Sequence, residues 1–185
     1  VQSIPMAIDN LRTLLQEDFT DLPYLTTLLR QLTTLPLFAT AKEENELTVR
    51  IYSFSYKKGI PSDNSGNGGG FVFDCRAIHN PGRHDEYKSL TGRDEPVISF
   101  LHKEEAMQQF LAQIYDMVGY SVKKYQSRGF KNLMVSFGCT GGQHRSVYCA
   151  EHLAAYLNDT FGVRVILTHR EQGITQEFAS HTSNK

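Results

Sequence analysis

The fold of this chain is decided by the stretch Val135-Ser136-Phe137-Gly138-Cys139-Thr140-Gly141-Gly142-Gln143-His144-Arg145-Ser146-Val147-Tyr148. The mostly apolar, β-prone residues 133–137 predict a strand, and apolar residues recurring at three and four positions through 147–157 predict a helix. Three glycines lie between the two. A strand, a glycine-rich turn and a helix N-terminus favour a bound anion, because backbone N–H groups converge there and the helix dipole adds partial positive charge. We therefore expect the function of the domain at this loop.

Polar side chains in the loop extend this expectation. An arginine can hold phosphate or sulfate through two hydrogen bonds, and a histidine adds positive charge as the pH falls. The favoured ligand is therefore phosphate, sulfate or a phosphosugar. The candidate binding residues in the loop are Cys139, Thr140, Gly141, Gly142, His144, Arg145 and Ser146.

The same loop permits a second chemistry, that of the cysteine-dependent phosphatases. Five residues separate Cys139 from Arg145, and Ser146 follows; at this spacing a thiolate attacks phosphorus in those enzymes. However, Gly138 stands where those enzymes usually carry a histidine. A general acid would also be needed, for which the candidates are Asp74, Asp85 and Asp94. A purely structural loop is a third alternative. We favour a binding module without catalytic residues, metal or cofactor.

Composition limits the classes of function. The chain of 185 residues carries 19 Lys and Arg against 20 Asp and Glu, a formal net charge of -1, so any surface for nucleic acid must be local. The three cysteines form neither a disulfide framework nor a CxxC metal pair, which favours a reducing, cytoplasmic compartment. No apolar run is long enough to predict a transmembrane helix, and we expect no membrane partner.

Hydrophobic periodicity divides the chain into three parts. Residues 1–45 contain two apolar helical stripes and a polar linker, which predict a helical extension that ends a preceding domain. Residues 46–172 form the main domain, with strands predicted at 46–56, 71–74, 132–137 and 163–167, a short apolar segment at 97–101 and a long helix at 104–127. Residues 173–185 lose periodicity and predict a frayed tail.

The order of these elements predicts an α/β domain with a small mixed sheet and a C-terminal βαβ unit. Three polar clusters, at 74–85, 138–146 and 168–170, each follow the end of a predicted strand. Parallel strands would bring all three clusters to one edge of the sheet, where ligands bind in α/β proteins. The first cluster would add carboxylate, guanidinium, imidazole and amide groups to the loop.

Five elements of the sequence, in order, resemble one protein family. GCTGGQHRSVY at 138–148 closely resembles a loop in the C-terminal domain of the RapZ family, the RNase adapter proteins. FDCR at 73–76 with NP at 80–81, LTGRDEPV at 90–97, AEHLA at 150–154 and HR at 169–170 resemble further elements of that domain. The resemblance covers about residues 46–172.

This resemblance implies a regulatory binding domain rather than an enzyme. The family domain is similar to part of a phosphofructokinase fold, binds glucosamine-6-phosphate and small RNA, and helps to present RNA to RNase E; a homodimer is also implied. Where the family has a histidine after Asn-Pro, this chain has Gly82, with His84 nearby. Carried over by position, the phosphosugar pocket would comprise Asp74, Arg76, Asn80, Cys139, Thr140, Gly141, Gly142, His144 and Arg145, with His84 as a further candidate.

The chain departs from the family at both ends. The P-loop motif of the family's N-terminal domain is not found, and residues 1–35 instead resemble the last helices of an aminoglycoside-phosphotransferase-like domain. We therefore expect a fused kinase-like or nucleotide-binding domain. Glu171 and Glu177 replace the basic tail of the enterobacterial adapter. RNA binding would depend on two local basic sets, Lys57, Lys58, Arg76, Arg83, Arg93, Arg145, Arg164 and Arg170 near the sheet edge, and Lys123, Lys124, Arg128 and Lys131 after the long helix.

Overall fold

A computed structural model describes residues 46–181, which contain five strands and three α-helices. The strands are β1 (Thr48–Ser55), β2 (Phe71–Asp74), β3 (Asn132–Cys139), β4 (Arg164–His169) and β5 (Ile174–Phe178). The helices are α1 (Glu95–Lys103), α2 (Glu105–Ser127) and α3 (Arg145–Phe161). The predicted α/β domain is thus confirmed. The predicted helical extension at 1–45 lies outside the described residues.

The sheet is mixed and has the strand order β2-β3-β1-β4-β5. Both β3 and β4 run parallel to β1, β2 runs parallel to β3, and β5 is antiparallel to β4. The strands β3 and β4 therefore form the predicted parallel βαβ unit with α3, and β1 lies between them. In register, Ser55 lies opposite Cys139, and Asp74 lies opposite Gly138. The carboxyl ends of these strands consequently meet at one edge.

Helix α3 fixes the position of the glycine-rich loop. It packs against β1, β3 and β4, and α2 packs against it in turn. Its side chains Tyr148, Leu153 and Leu157 are completely buried, and burial of an apolar side chain of this size contributes about 1.5–3 kcal/mol. The helix ends before Gly162, which adopts a left-handed conformation (φ 63°). No helix within residues 46–181 is long and apolar enough to cross a membrane.

Two segments differ from their predictions. Residues 97–101 belong to α1, where the buried side chains of Val97 and Leu101 lie one turn apart. The segment predicted to fray contains β5, the antiparallel edge strand. Its residues alternate between half-buried and exposed, as a strand with one covered face requires. The alternation is Ile174, Gln176 and Phe178 on the covered face, with Thr175 and Glu177 on the exposed face.

Candidate functional site

A cavity of about 280 Å³ opens at the carboxyl edge of the sheet, beside the start of α3. Three segments enclose it: the turn after β2, the segment before α1, and residues 138–146, which we call the anion loop. Six of the predicted site residues line it, namely Asn80, Cys139, Thr140, Gly141, His144 and Arg145. Three further lining residues were not predicted: Gly82, Lys88 and Gln143.

The carbonyl groups of the anion loop are engaged by neighbouring parts of the protein. The carbonyls at positions 140, 142 and 143 accept hydrogen bonds from Ser55 Oγ (2.7 Å), Gln172 Nε2 (3.1 Å) and the Gly92 N–H (2.9 Å). In contrast, the N–H groups at positions 141, 143 and 144 find no acceptor among residues 46–181. The loop therefore keeps donors unpaired while its acceptors are used, an arrangement that favours an anion.

Arg145 combines a structural role with a possible contact to ligand. Its side chain is 4% exposed, and its Nη1 donates to the main-chain carbonyls of Arg76 (3.0 Å) and Ile78 (2.7 Å). These bonds tie the start of α3 to the turn after β2. Its Nε is buried without a partner in the described part of the chain. Arg145 thus lines the cavity with a guanidinium that is partly used by the fold, and a truncation of Arg145 would remove the structural bonds as well.

His144 is held in a defined orientation. The ring is 7% exposed, and its Nε2 donates to the main-chain carbonyl of Tyr87 (2.8 Å), so Nδ1 carries a proton only when the ring is an imidazolium. A Cβ atom at Gly82 would lie 3.1 Å from His144 Cε1 and 3.3 Å from Nδ1. The departure from the family pattern at position 82 therefore makes room for this ring.

The thiol of Cys139 is enclosed. The residue is 3% exposed, and its Sγ accepts the Gly142 N–H (3.2 Å) and lies 3.1 Å from Ser146 Oγ. Gly142 and Ser146, which make these two contacts, do not themselves line the cavity. The preceding residue, Gly138, belongs to β3, and a Cβ there would lie 2.4 Å from Tyr56 and 2.6 Å from Phe54. The aromatic rings therefore exclude the histidine that phosphatases carry at this position.

Asp74, Arg76 and His84 do not line the cavity. Arg76 Nη2 pairs with Asp74 Oδ2 at 2.6 Å and its guanidinium lies 4.1 Å from the centre of the Tyr56 ring. The hydrogen bond from Arg76 lowers the pKa of Asp74. His84 lies among aromatic rings, with its ring centre 5.5 Å from that of Phe100, and its Nε2 has no partner within residues 46–181. These three residues stay predictions as ligand contacts.

One unpredicted lining residue, Lys88, lies in the segment before α1, which folds back onto the loop. Gln143 Nε2 donates to the main-chain carbonyls of Lys88 (2.9 Å) and Leu90 (2.6 Å), which holds this segment against the loop. The Lys88 ammonium, paired with the exposed Asp85, remains at the rim. Gln143 was detectable from its place inside the loop, whereas Lys88 depended on the path of the segment before α1.

A second polar cluster lies at the same edge of the sheet, and we call it the buried chain: Ser53, His169, Glu151 and Arg93. His169, completely buried, is 2.8 Å from Ser53 Oγ through Nδ1 and 3.1 Å from Glu151 Oε1 through Nε2. Arg93 Nε pairs with the same carboxylate at 2.8 Å. Burial raises the pKa of Glu151, but the hydrogen bond with His169 and the Arg93 charge outweigh burial and lower it. The cluster at 168–170 therefore reaches the edge without joining the cavity.

Three of the eight cations predicted at this edge are neutralised by carboxylates within residues 46–181. Ion pairs join Lys58 to Glu171, Arg76 to Asp74 and Arg93 to Glu151. Arg164 was predicted at this edge but begins β4 opposite Thr48, so it lies at the amino edge, where it pairs with Glu177. Arg145 is buried, and Arg170 Nη1 donates to the Gly59 carbonyl. Within the part of the chain that the structure describes, no group of three or more His, Cys, Asp or Glu could hold a metal ion. The carboxyl edge thus offers the cavity's own donors rather than a broad basic surface.

The fold and the cavity define a class of protein: an α/β domain with parallel central strands and a polar, donor-rich cavity at their carboxyl edge. The family model described as the RapZ C-terminal domain matches residues 47–173. The chain belongs to this family. The resemblance on which the sequence prediction was based is therefore confirmed.

Similar proteins from several bacteria share this region. The chain is 38% identical over 140 residues to a nucleotide-binding protein of Fervidobacterium nodosum, covering 75% of this chain and 47% of that protein. It is 40% identical over 134 residues to one of Bacillus velezensis (72% and 43%) and 41% identical over 130 residues to one of Acidithiobacillus ferrooxidans (70% and 42%). The chain thus spans less than half the length of these relatives.

Proposed function

We propose that the domain is a regulatory binding module for a phosphorylated small molecule, with a phosphosugar such as glucosamine-6-phosphate as its ligand. The observation that carries the proposal is the state of the anion loop, where three carbonyls are engaged and the N–H groups at 141, 143 and 144 are unpaired within the described residues. A phosphate dianion only accepts hydrogen bonds, so it complements such a set of donors at the start of a helix. The Thr140 hydroxyl and the Lys88 ammonium would complete its shell.

The cavity also suits the sugar part of such a ligand. Asn80 lines the wall across from the loop, and its Oδ1 accepts the Gly82 N–H (3.2 Å), which fixes the amide. None of the lining residues is Asp or Glu. The phosphate, rather than the amine of a glucosamine, would therefore provide the charge recognition. Glucose-6-phosphate should bind within a few-fold of glucosamine-6-phosphate, and glucosamine alone should not bind.

A cysteine-dependent phosphatase is the second candidate, favoured by the short distance from Cys139 Sγ to Ser146 Oγ and by the Gly142 N–H that donates to the same sulfur. We place it second for three reasons. The thiol is 3% exposed, no carboxylate among the lining residues could act as general acid, and Nη1 of Arg145 is held by main-chain carbonyls.

Calorimetry and a turnover assay separate the two candidates. A binding module should titrate with phosphosugars, keep that binding in Cys139→Ser, and leave p-nitrophenyl phosphate intact. A phosphatase should hydrolyse p-nitrophenyl phosphate and lose this activity in Cys139→Ser. Thr140→Val removes the hydroxyl at nearly constant volume and should weaken phosphosugar binding by about 0.5–1.5 kcal/mol. Turnover that depends on Cys139 would reverse the ranking.

An RNA adapter role is part of the proposal and is supported by membership of the family. The relatives are named nucleotide-binding proteins, and phosphate is the chemical group that phosphosugars, nucleotides and RNA share. Most RNA affinity comes from neutralised phosphates. Of the eight basic residues expected at the carboxyl edge, three are paired there and Arg164 lies at the amino edge. RNA affinity at this edge should therefore be micromolar in order of magnitude and should fall steeply with salt in a gel-shift series.

A further inference from the structure

A second cavity lies at the opposite, amino edge of the sheet, where β2 and β3 begin. Its volume is about 410 Å³, larger than that of the cavity at the anion loop, and the two share no lining residue. Phe71, Tyr125 and Phe130 contribute aromatic rings to its lining, and Asn67 and Asn132 contribute amides. This size and this mixture of groups suit a small ligand with a flat ring and polar edges.

The Tyr125 and Phe130 rings lie next to each other at an angle, and a ligand ring could pack against them. The centres of the Tyr125 and Phe130 rings are 4.7 Å apart, with the rings inclined at 55°. Phe130 is 41% exposed although it is apolar, so part of the ring is accessible to a ligand. On the other wall, Arg50 Nη1 donates to Asn132 Oδ1, which fixes the orientation of that amide. The pocket thus offers a stacking surface next to an oriented hydrogen-bonding group.

The chain around this cavity is basic. No Asp or Glu occurs between Asp116 and Glu151, a stretch that contains Lys123, Lys124, Arg128 and Lys131. None of these four cations pairs with a carboxylate from residues 46–181. The Arg128 guanidinium lies over one face of the Phe130 ring, 4.8 Å from the ring centre. At the carboxyl edge, in contrast, Lys58, Arg76 and Arg93 are each paired with a carboxylate.

We propose that this amino-edge cavity is a nucleotide site, in which a nucleobase stacks on Phe130 and Tyr125 while Arg128 and Lys131 contact its phosphate. An aromatic face is sequence-tolerant towards bases, because every base has a π-face, and nearby cations attract the attached phosphate. The amides of Asn67 and Asn132 would hydrogen-bond the edge of the base. This site is separate from the anion loop and does not depend on the function proposed there.

The base and phosphate could belong to a free mononucleotide or to a nucleotide within single-stranded RNA. The test uses the full 185-residue chain, with calorimetry for AMP, UMP and ribose-5-phosphate, and fluorescence anisotropy for a labelled, unstructured oligoribonucleotide. Binding of AMP or UMP without binding of ribose-5-phosphate at this site identifies a free nucleotide. Binding of the oligonucleotide alone identifies RNA. Binding of none of these probes would overturn the proposal.

Substitutions locate the binding. Phe130→Ala should weaken the binding of the successful probe by about ten-fold, because stacking on an aromatic residue provides a large part of such affinity. Asn67→Asp, in an exposed loop, should also weaken it, since a carboxylate there repels phosphate. Tyr120→Ala is the matched control, because Tyr120 is 66% exposed on α2 and does not line the cavity. Equal effects of Phe130→Ala and Tyr120→Ala, or loss of binding in Thr140→Val, would show that the nucleotide binds elsewhere.

Discussion

The anion loop and the buried chain are both polar clusters at the carboxyl edge, but they differ in what remains unpaired. In the buried chain, His169 contacts Ser53 on one side and Glu151 on the other, and Arg93 completes the pairing of the carboxylate. In the anion loop the carbonyls are paired, whereas several N–H groups have no acceptor within the described residues. We call the buried chain closed, because its polar groups satisfy one another and stabilise the fold. We call the anion loop open, because a ligand would supply the acceptors that its N–H groups lack.

This difference shows that unpaired hydrogen-bond donors, rather than polar side chains as such, mark a candidate binding site. A buried polar group without a partner costs about 1–3 kcal/mol, so proteins retain few of them. Donors left unpaired beside a cavity are therefore informative. Polar side chains that satisfy one another, as in the buried chain, have no capacity left for a ligand, whatever their resemblance to a catalytic arrangement.

The largest effect should follow from opening the buried chain. His169→Ala leaves the buried Ser53 hydroxyl without its partner, removes one of the two partners of the partly exposed Glu151 carboxylate and opens a cavity, so it should lower the free energy of unfolding by about 2–4 kcal/mol. Thr140→Ala in the anion loop should change it by less than about 0.5 kcal/mol, because Thr140 is exposed. Urea unfolding measures both. Similar losses in the two variants would contradict the distinction between a closed and an open cluster.

Two glycines of the anion loop provide the next contrast. Gly138→Ala places a Cβ 2.4 Å from Tyr56, and such overpacking should cost about 1–3 kcal/mol of stability. Gly141→Ala is the matched control, because a Cβ there meets nothing within 4 Å. Thermal unfolding of both variants checks this. If Gly138→Ala were as stable as Gly141→Ala, the rings would not be what excludes a side chain before Cys139.

Local signals in the sequence were sufficient for the centre of the fold. The apolar run before Gly138 and the periodicity after Arg145 are local, and both the strand β3 and the helix α3 follow them. β5 was missed because an edge strand of mixed polarity is stabilised by its pairing with β4, a contact that periodicity in its own segment does not reveal. The parallel order of strands was correctly predicted from the βαβ unit.

The candidate site was predictable only where its residues lie in the loop itself. Lys88 lines the cavity because the segment before α1 folds back, held by the hydrogen bonds of Gln143 to the Lys88 and Leu90 carbonyls, and Gly82 lines it from the turn after β2. Sequence could not distinguish His144, which lines the cavity, from His169, which is closed off, because both follow strand ends. It also could not show that the Arg145 side chain would be shared with main-chain carbonyls.

The charge of Glu151 should contribute a smaller, pH-dependent effect. The hydrogen bond with His169 and the Arg93 charge hold the pKa of Glu151 in the folded state below its ordinary value, so its ionised form stabilises the fold above the ordinary pKa, and the contribution is lost as the pH falls through the folded pKa. Glu151→Gln should therefore lower stability at neutral pH by about 1–2 kcal/mol. The difference from the unsubstituted protein should shrink as the pH falls through the lowered pKa of Glu151. A difference that grew in acid would contradict this sign.

The smallest effect on binding should come from Lys88, at the rim of the cavity beside the anion loop. Lys88→Ala removes an exposed cation and should weaken phosphosugar binding by about 0.5–1 kcal/mol, with a smaller difference at high salt. Lys103→Ala, an exposed cation at the end of α1 that does not line the cavity, is the control. Calorimetry at low and high salt compares them. Equal weakening in both variants would indicate a general charge effect rather than a contact.

The most direct test of the central claim is an NMR titration of the ¹⁵N-labelled chain with glucosamine-6-phosphate. The account predicts saturable shifts of the amide resonances at 140–146, where N–H groups are unpaired, and little change at 164–169, where the buried chain is closed. Weak binding in the millimolar range, about −4 kcal/mol, would still be visible. Absence of shifts at 140–146 with any phosphosugar at about 10 mM, or shifts confined to other parts of the domain, would contradict the account.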